Sequence, residues 1–220
     1  MPTSPDLSAA ASLTYDSGMF EALPLLTELG LRATFYLSAV DLLEQPAVWR
    51  QAAATGHEIG AHPLRSVTDG RGNLPNWTMR AVEEDIDACQ ALFAEILGSP
   101  AGTAALHGDE LLCTASEDDR RAVSYLPAFE SRFATIRGQA NGRARGERTG
   151  FLPSVPLLSL DQAIQEGERA IVEGSWIIYR IDSIGEEAHE GLCRWLAEHA
   201  GELQQGPVSE IASLDTPLKR

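Results

Sequence analysis

The chain has 220 residues, a formal net charge of −15 at pH 7, 44% hydrophobic residues and 22% charged residues. That is an ordinary composition for one globular domain with a sizeable core, and a single domain over residues 1–220 is the simplest organisation. The acidic balance argues against nucleic acid and against an anionic membrane surface, since both need clustered Lys and Arg, whereas a neutral sugar, amide or ester stays compatible with it.

Strand-like and helix-like runs alternate along the chain. Ala10 to Tyr15 is apolar with β-formers and ends in Asp16-Ser17-Gly18. Met19 to Leu29 predicts a helix with Leu23, Leu26 and Leu29 on one side and Gly30 as its stop. Ala33 to Leu37 predicts a strand, Pro46 to Thr55 a helix opened by Pro and closed by Gly56, and His57 to Ala61 a short strand. Pro63 to Trp77 is rich in Gly, Pro, Asn and Asp and predicts a loop. Thr78 to Leu97 predicts the longest helix, with Thr78 as N-cap and a stripe of Val82, Ile86, Cys89, Leu92, Phe93 and Ile96.

Thr103 to Leu106 predicts a strand, Ser116 to Phe133 one or two helices, and Phe133 to Ile136 another strand. Arg137 to Thr149 carries Arg137, Arg143, Arg145 and Arg148 among Gly and Asn breakers. It predicts a solvated polar loop, with an anion-contacting lid as the functional alternative. Ser159 to Glu173 predicts a helix capped by Ser159, Trp176 to Ile181 a strand, Glu186 to His199 a helix and Pro207 to Ser213 a last short one. Strands alternating with helices predict a parallel α/β architecture, although the pattern does not choose between an open sheet and a barrel. In either case the loops after the strands' C-terminal ends carry the site, and these begin at Asp16, His62, His107 and Asp182.

Cys89, Cys113 and Cys193 show no CxxC spacing and are odd in number. They are expected to be buried thiols rather than a disulfide framework. Met1 to Ala11 has neither the basic region nor the apolar run of a signal peptide. No stretch reaches the roughly 20 apolar residues of a membrane-spanning helix. A cytoplasmic location is therefore the expectation, with secretion as the alternative if a signal has been trimmed.

Four segments carry a resemblance to a known family. Leu13-Thr14-Tyr15-Asp16-Ser17-Gly18 resembles a first motif that is normally Thr-Phe-Asp-Asp-Gly. Leu31 to Leu37 resembles the second strand, Gly56-His57-Glu58-Ile59-Gly60-Ala61-His62 the start of a second motif, and Gly174 to Ile178 a late strand leading to the last catalytic histidine. In order and spacing the chain is similar, from about Leu13 to about Ala212, to the polysaccharide deacetylase (NodB-homology) family. The resemblance implies a distorted (β/α) barrel with fewer than eight complete repeats. It also implies hydrolysis of non-peptide C–N bonds, such as N-acetyl groups of carbohydrates, with a divalent metal such as zinc.

The resemblance gives Asp16 the place of the catalytic base and His62 that of a metal ligand. Ser17 stands where the family has a ligating Asp, Ser66 where it has a second ligating His, and Asp182 where it has its acid histidine. Ala105-Leu106-His107-Gly108 occupies the region of the third motif. A catalytic zinc needs about three ligands of the His, Asp, Glu or Cys type, and a serine hydroxyl is a poor one at neutral pH. The expectation is a degenerate member without bound metal, because nothing would then activate the attacking water.

Asp16, His62 and Asp182 are the candidate catalytic residues for a metal-independent amide or ester hydrolase. Asp16 and Asp182 could form a carboxylate pair, or Ser66, His62 and Asp16 a nucleophile, base and orienter. Ser17, Ser66, Trp77 and His107 are candidate substrate-binding residues, and a non-catalytic carbohydrate-binding or regulatory protein is the further alternative. The blander expectations are an Asx turn at Asp16, a satisfied loop histidine at His62, loop packing at Trp77, a core position for Trp176 and solvated His189 and His199.

Overall fold

In the computed structural model the described residues are 9–64, 66–144, 150–182 and 186–214, with the side chains of Asn141 and Glu186 not described. The elements in chain order are β1 (Ala10–Asp16), a 3-10 turn (Phe20–Ala22), α1 (Leu23–Glu28), β2 (Thr34–Leu37), α2 (Ala39–Glu44), α3 (Pro46–Ala54), β3 (Glu58–Ala61), β4 (Leu74–Thr78), α4 (Met79–Leu97), β5 (Thr103–Ala105), β6 (Leu112–Thr114), β7 (Ala122–Ser124), α5 (Leu126–Glu130), β8 (Thr135–Asn141), β9 (Gly150–Pro156), α6 (Leu160–Glu173), β10 (Trp176–Ile181), α7 (Glu186–Glu198), β11 (Gln204–Gln205) and α8 (Val208–Ala212).

Seven parallel strands, β1, β2, β3, β5, β8, β9 and β10, form a closed barrel, because β10 pairs back onto β1 from Ala10↔Trp176 to Tyr15↔Ile181. The two-residue β11 lies beside the start of β1 on the edge that β2 takes further along. Helices pack outside, so the fold is the α/β barrel that the resemblance implies. A separate small sheet, β4-β6-β7, holds the long connections between β3 and β8.

Period-two alternation decides which side chains enter the barrel. On β1, Ala11, Leu13 and Tyr15 belong to the large core under the helices, while Ser12, Thr14 and Asp16 take the opposite face. On β10, Ile177, Tyr179 and Ile181 face outward. Trp176 and Ile178 join a second cluster with Ala10, Ala144, Leu152, Val208 and Ile211. This second cluster fills the N-terminal end of the barrel, and α8 supplies Val208 and Ile211 to it.

A polar layer lies above it. The Glu58 carboxylate accepts from the Thr34 hydroxyl at 2.8 Å, the Thr103 hydroxyl at 2.7 Å and the Ser209 N–H at 3.0 Å. Two residues nearer the C-terminal ends, the Tyr36 ring lies across Gly60, where a Cβ would come within 2.5 Å of the ring.

Several expected elements hold. Thr78 caps α4 by accepting from Ala81 N–H, and Ser159 caps α6 by accepting from Gln162 N–H. All three cysteines are free and buried, and Trp176 is fully buried. Other expectations are corrected. Residues 74–78 form a strand rather than the end of a loop. The expected helix or helices between Ser116 and Phe133 are the short strand β7 and the short helix α5.

The strand expected to stop at Ile136 continues to Asn141, so Arg137 is not in a solvated loop. Arg143 is tied to Glu166 and Glu173 of α6, and Ala144 bridges to Trp176, so that part of the expected loop is docked. Arg145 and Arg148 lie outside the described residues. Four elements had no expectation at all: α2, with a Ser38–Asp41 capping box, β6, β9 and the two-residue β11. No helix among the described residues is long and apolar enough to cross a membrane.

Candidate active site at the C-terminal end of the barrel

The C-terminal ends of β1, β3 and β5 bring Asp16, His62 and His107 to one side of the barrel, as parallel strands require. Asp16 ends β1 and is buried. Its carboxylate accepts from Nη2 of Arg137, whose side chain enters the barrel from β8 and is 0% exposed. An Asx turn is thus not what holds Asp16; its partner comes from the far side of the barrel. Arg137 stands cross-strand from Ala105, so the short side chain there leaves room beside the guanidinium. The guanidinium carbon also sits 5.2 Å from the centroid of the Tyr36 ring, a cation–π contact in a desolvated setting. Burial pushes the Tyr36 hydroxyl well above its ordinary range, with the Glu58 carboxylate adding to it.

Ser17 follows in the left-handed region at φ 67° and is half-buried. Met19 N–H and Phe20 N–H turn back onto the carbonyls of Ser17 and Gly18, at 2.6 and 2.9 Å, and this tight turn starts the first helical segment. His62 follows β3 and is fully buried; its backbone N–H donates to Leu37 carbonyl at 2.7 Å. The His107 ring lies 6.3 Å from the His62 ring and is half-buried. The loop carrying His107 is fixed, since Asp109 and Glu110 N–H both donate to Arg71 carbonyl at 3.0 Å. Gly108, at φ 103°, packs directly on that same backbone.

Beside His62 opens a cleft of about 440 Å³. Val40, Leu64, Val67 and Leu92 supply apolar wall; His62, Ser66 and Asp85 supply polar groups. Ser66 is exposed at this rim. Leu64 is held in the left-handed region at φ 62°, and its N–H bonds the Asp85 carboxylate. Burial raises the Asp85 carboxyl above its ordinary range, and the Leu64 N–H works against that.

Asp182 follows β10 beside the end of β1, where Tyr15 pairs with Ile181, but its carboxylate is matched elsewhere. Asp182 is 55% exposed and pairs with Arg180 Nε at 3.2 Å, while Arg180 Nη1 donates to Gln139 carbonyl. Each aspartate is matched to its own arginine, Asp16 to Arg137 and Asp182 to Arg180. The Asp16 carboxylate, the orienter in the expected Ser66, His62 and Asp16 arrangement, is engaged by Arg137. Trp77 sits in β4, half-buried against the main core. His189 is not solvated. It is buried with Nε2 2.7 Å from the Tyr15 hydroxyl and 3.6 Å from Cys193 Sγ, and burial holds its pKa down. His199 stacks on Trp195 at 4.3 Å.

A sequence model of the polysaccharide deacetylase family matches residues 5–106, the segment that ends at the third-motif strand. Three solved structures agree in fold over nearly the whole chain. A protein from Mycobacterium smegmatis assigned as a polysaccharide deacetylase aligns with a TM-score of 0.64 at 13% identity, covering 96% of this chain and 91% of that one. A family 4 acetyl xylan esterase from Clostridium thermocellum, solved with a cobalt ion, gives 0.59 at 16%, covering 96% and 94%. The Bc1960 peptidoglycan N-acetylglucosamine deacetylase, solved with a hydroxamate-type benzamide, gives 0.59 at 17%, covering 99% and 93%. No curated protein gives a significant match.

Residues 5–106 are thus similar to the polysaccharide deacetylase family, and the barrel as a whole has the fold of these solved structures. Ser17, His62 and Ser66 are the residues that the resemblance would set at metal-ligand positions. Among the described residues no group of three His, Cys, Asp or Glu converges closely enough to hold a metal ion. Sequence reasoning did not find Arg137, Tyr36 or Asp85. For Arg137 a signal existed: in Thr135-Ile136-Arg137 the outward residue is Ile136, so alternation points Thr135 and Arg137 inward.

Proposed function

We propose that this deacetylase-like barrel binds a carbohydrate or a small amide or ester at its C-terminal mouth without the metal-dependent hydrolysis of N-acetyl groups. The observation that carries this is the Asp16–Arg137 pair. Asp16 holds the place of the catalytic base, and its carboxylate is matched to a buried guanidinium rather than set beside a metal-bound water. The donor set does not fit a divalent metal. Ser17 and Ser66 offer neutral hydroxyls, which compete poorly with water for zinc, and His62 alone is a suitable ligand type. Without the metal the attacking water keeps its ordinary acidity and the acyl oxygen lacks its Lewis acid.

The carbohydrate class is drawn from the relatives, whose names include an acetyl xylan esterase and a peptidoglycan N-acetylglucosamine deacetylase. His62, His107, Ser17 and Ser66 are the polar groups offered to it at the mouth. Metal-independent hydrolysis by Asp16, His62 and Asp182 receives less support, since Asp182 is turned out to Arg180. The test is metal content after incubation with Zn²⁺ and removal of the excess, alongside acetate release from N-acetylated oligosaccharides. Protein free of metal and without acetate release is expected. Near-stoichiometric zinc that is lost on His62→Ala, with acetate released, would overturn the proposal.

A further inference from the structure

A buried guanidinium is costly unless its charge is paired and its N–H groups are bonded. Arg137 meets the first condition through Asp16 but not the second. Nη2 donates to Asp16, while Nε and Nη1, both buried, have no hydrogen-bond acceptor among the described residues. Tyr36 offers these nitrogens a ring face but no lone pair in the cation–π contact. More than nine in ten buried polar groups in folded proteins find a partner, so donors left over on a charged group at the active-site end of a barrel point to an acceptor that is brought in.

We infer that Arg137 is an oxyanion receptor: the C-terminal end of the barrel binds a small carboxylate on the guanidinium N–H groups that Asp16 does not use. Several features fit that class. Guanidinium presents a planar fork of donors that matches a carboxylate and can serve two at once. Asp16, Tyr36, His62 and Arg137 are all buried, so a ligand that reaches these N–H groups has to be compact there, either a small free acid or the acid terminus of a longer ligand. Low local dielectric strengthens the charge-assisted bond. The inference rests on the metal-free reading of the mouth.

The probe is formate, with formamide as its neutral counterpart, at constant ionic strength. Binding is read by thermal shift and by chemical-shift titration on the intact chain. Formate is expected to raise the melting temperature in a saturable way, and formamide to leave it unchanged. Asp16→Asn removes the competing carboxylate while keeping its shape, so formate affinity is expected to rise about tenfold. Arg137→Met is expected to abolish binding. Should that variant fail to fold, Asp16→Asn still decides. Formate and formamide acting alike, or formate affinity unchanged in Asp16→Asn, would overturn the inference. Zinc content of the same preparations separates the two claims. Protein without zinc that ignores formate overturns this inference alone, whereas stoichiometric zinc overturns the metal-free reading and this inference with it.

Discussion

The two ends of the barrel are built from opposite materials. At the N-terminal end Ala10, Leu152, Trp176, Ile178, Val208 and Ile211 close the lumen with apolar volume, and the one polar contact of the indole, Nε1 to Ser12 Oγ at 3.1 Å, is satisfied. At the C-terminal end β1, β2, β3 and β8 present Asp16, Tyr36, His62 and Arg137, equally buried but charged or polar, and two nitrogens of Arg137 have no hydrogen-bond partner among the described residues. Burial is the same; satisfaction is not. An end that is buried and satisfied stabilises the fold, and an end that is buried and under-satisfied is where a ligand gains most by binding.

The largest effect is expected at the base. Trp176→Ala should destabilise by about 3–5 kcal/mol, since it removes a fully buried indole from a cluster with little freedom to collapse. Equilibrium unfolding in urea measures this, and a loss under about 1 kcal/mol would mean the plug is not what holds that end.

At the mouth, Arg137→Met should cost about 3 kcal/mol, near the low end of that range, because it leaves the Asp16 carboxylate buried and alone. The double variant Asp16→Leu/Arg137→Met should recover most of that loss, since two apolar groups of similar size need no partner. Recovery in the double variant marks a pair kept for function; additive losses would place the pair among the fold's own supports.

Acid should act at the base. His57 lies beside that end, its Nδ1 accepting from Ala33 N–H at 3.3 Å, and burial, with Arg32 nearby, holds its pKa below the ordinary 6.5. The folded state therefore resists protonation that the unfolded chain accepts below about pH 6.5. The stability contributed by neutral His57 is complete above that pH and is lost as pH falls toward the folded value. His189, lowered by burial on the outer face of the barrel, has the same sign. Unfolding curves from pH 7.5 down to 5 should show stability declining with pH, and His57→Gln should flatten the decline. A decline unchanged in His57→Gln would assign it to His189.

How far the sequence carried depended on what set each element. Long helices with caps were legible, since Thr78 and Ser159 both sit where side-chain oxygen meets a free N–H. The barrel strands with clear apolar alternation, such as Trp176–Ile181, were legible too. β9 was not: Gly150, Pro153 and Pro156 interrupt it, and it is a strand because β8 and β10 flank it. Arg137 was read as the start of a polar loop because an arginine among glycines suggests solvent; alternation after Ile136 points it inward, but its partner on β1 lies 121 residues away. Asp16 and His62 do lie at the ends of β1 and β3, as strand patterning expects, but their surroundings depend on long-range pairing that local pattern does not encode.

The smallest effect on stability, and the most direct test of what separates this mouth from a metal site, lies in two serines. Ser66 is exposed and Ser17 half-buried in the left-handed region, a conformation that Asp tolerates better than most residues. Ser17→Asp with Ser66→His should therefore shift stability by no more than about 1 kcal/mol in chelator. The same double variant restores an Asp, His, His donor set around His62. It should take up zinc to near one equivalent, while either single variant should not, because two strong ligands on flexible loop positions hold zinc poorly without the third. If the double variant stays metal-free, missing donors are not the whole difference, and the guanidinium of Arg137 must be excluding the dication. Adding Arg137→Met to the double variant then separates the two causes, since uptake restored only in the triple variant assigns the exclusion to that charge.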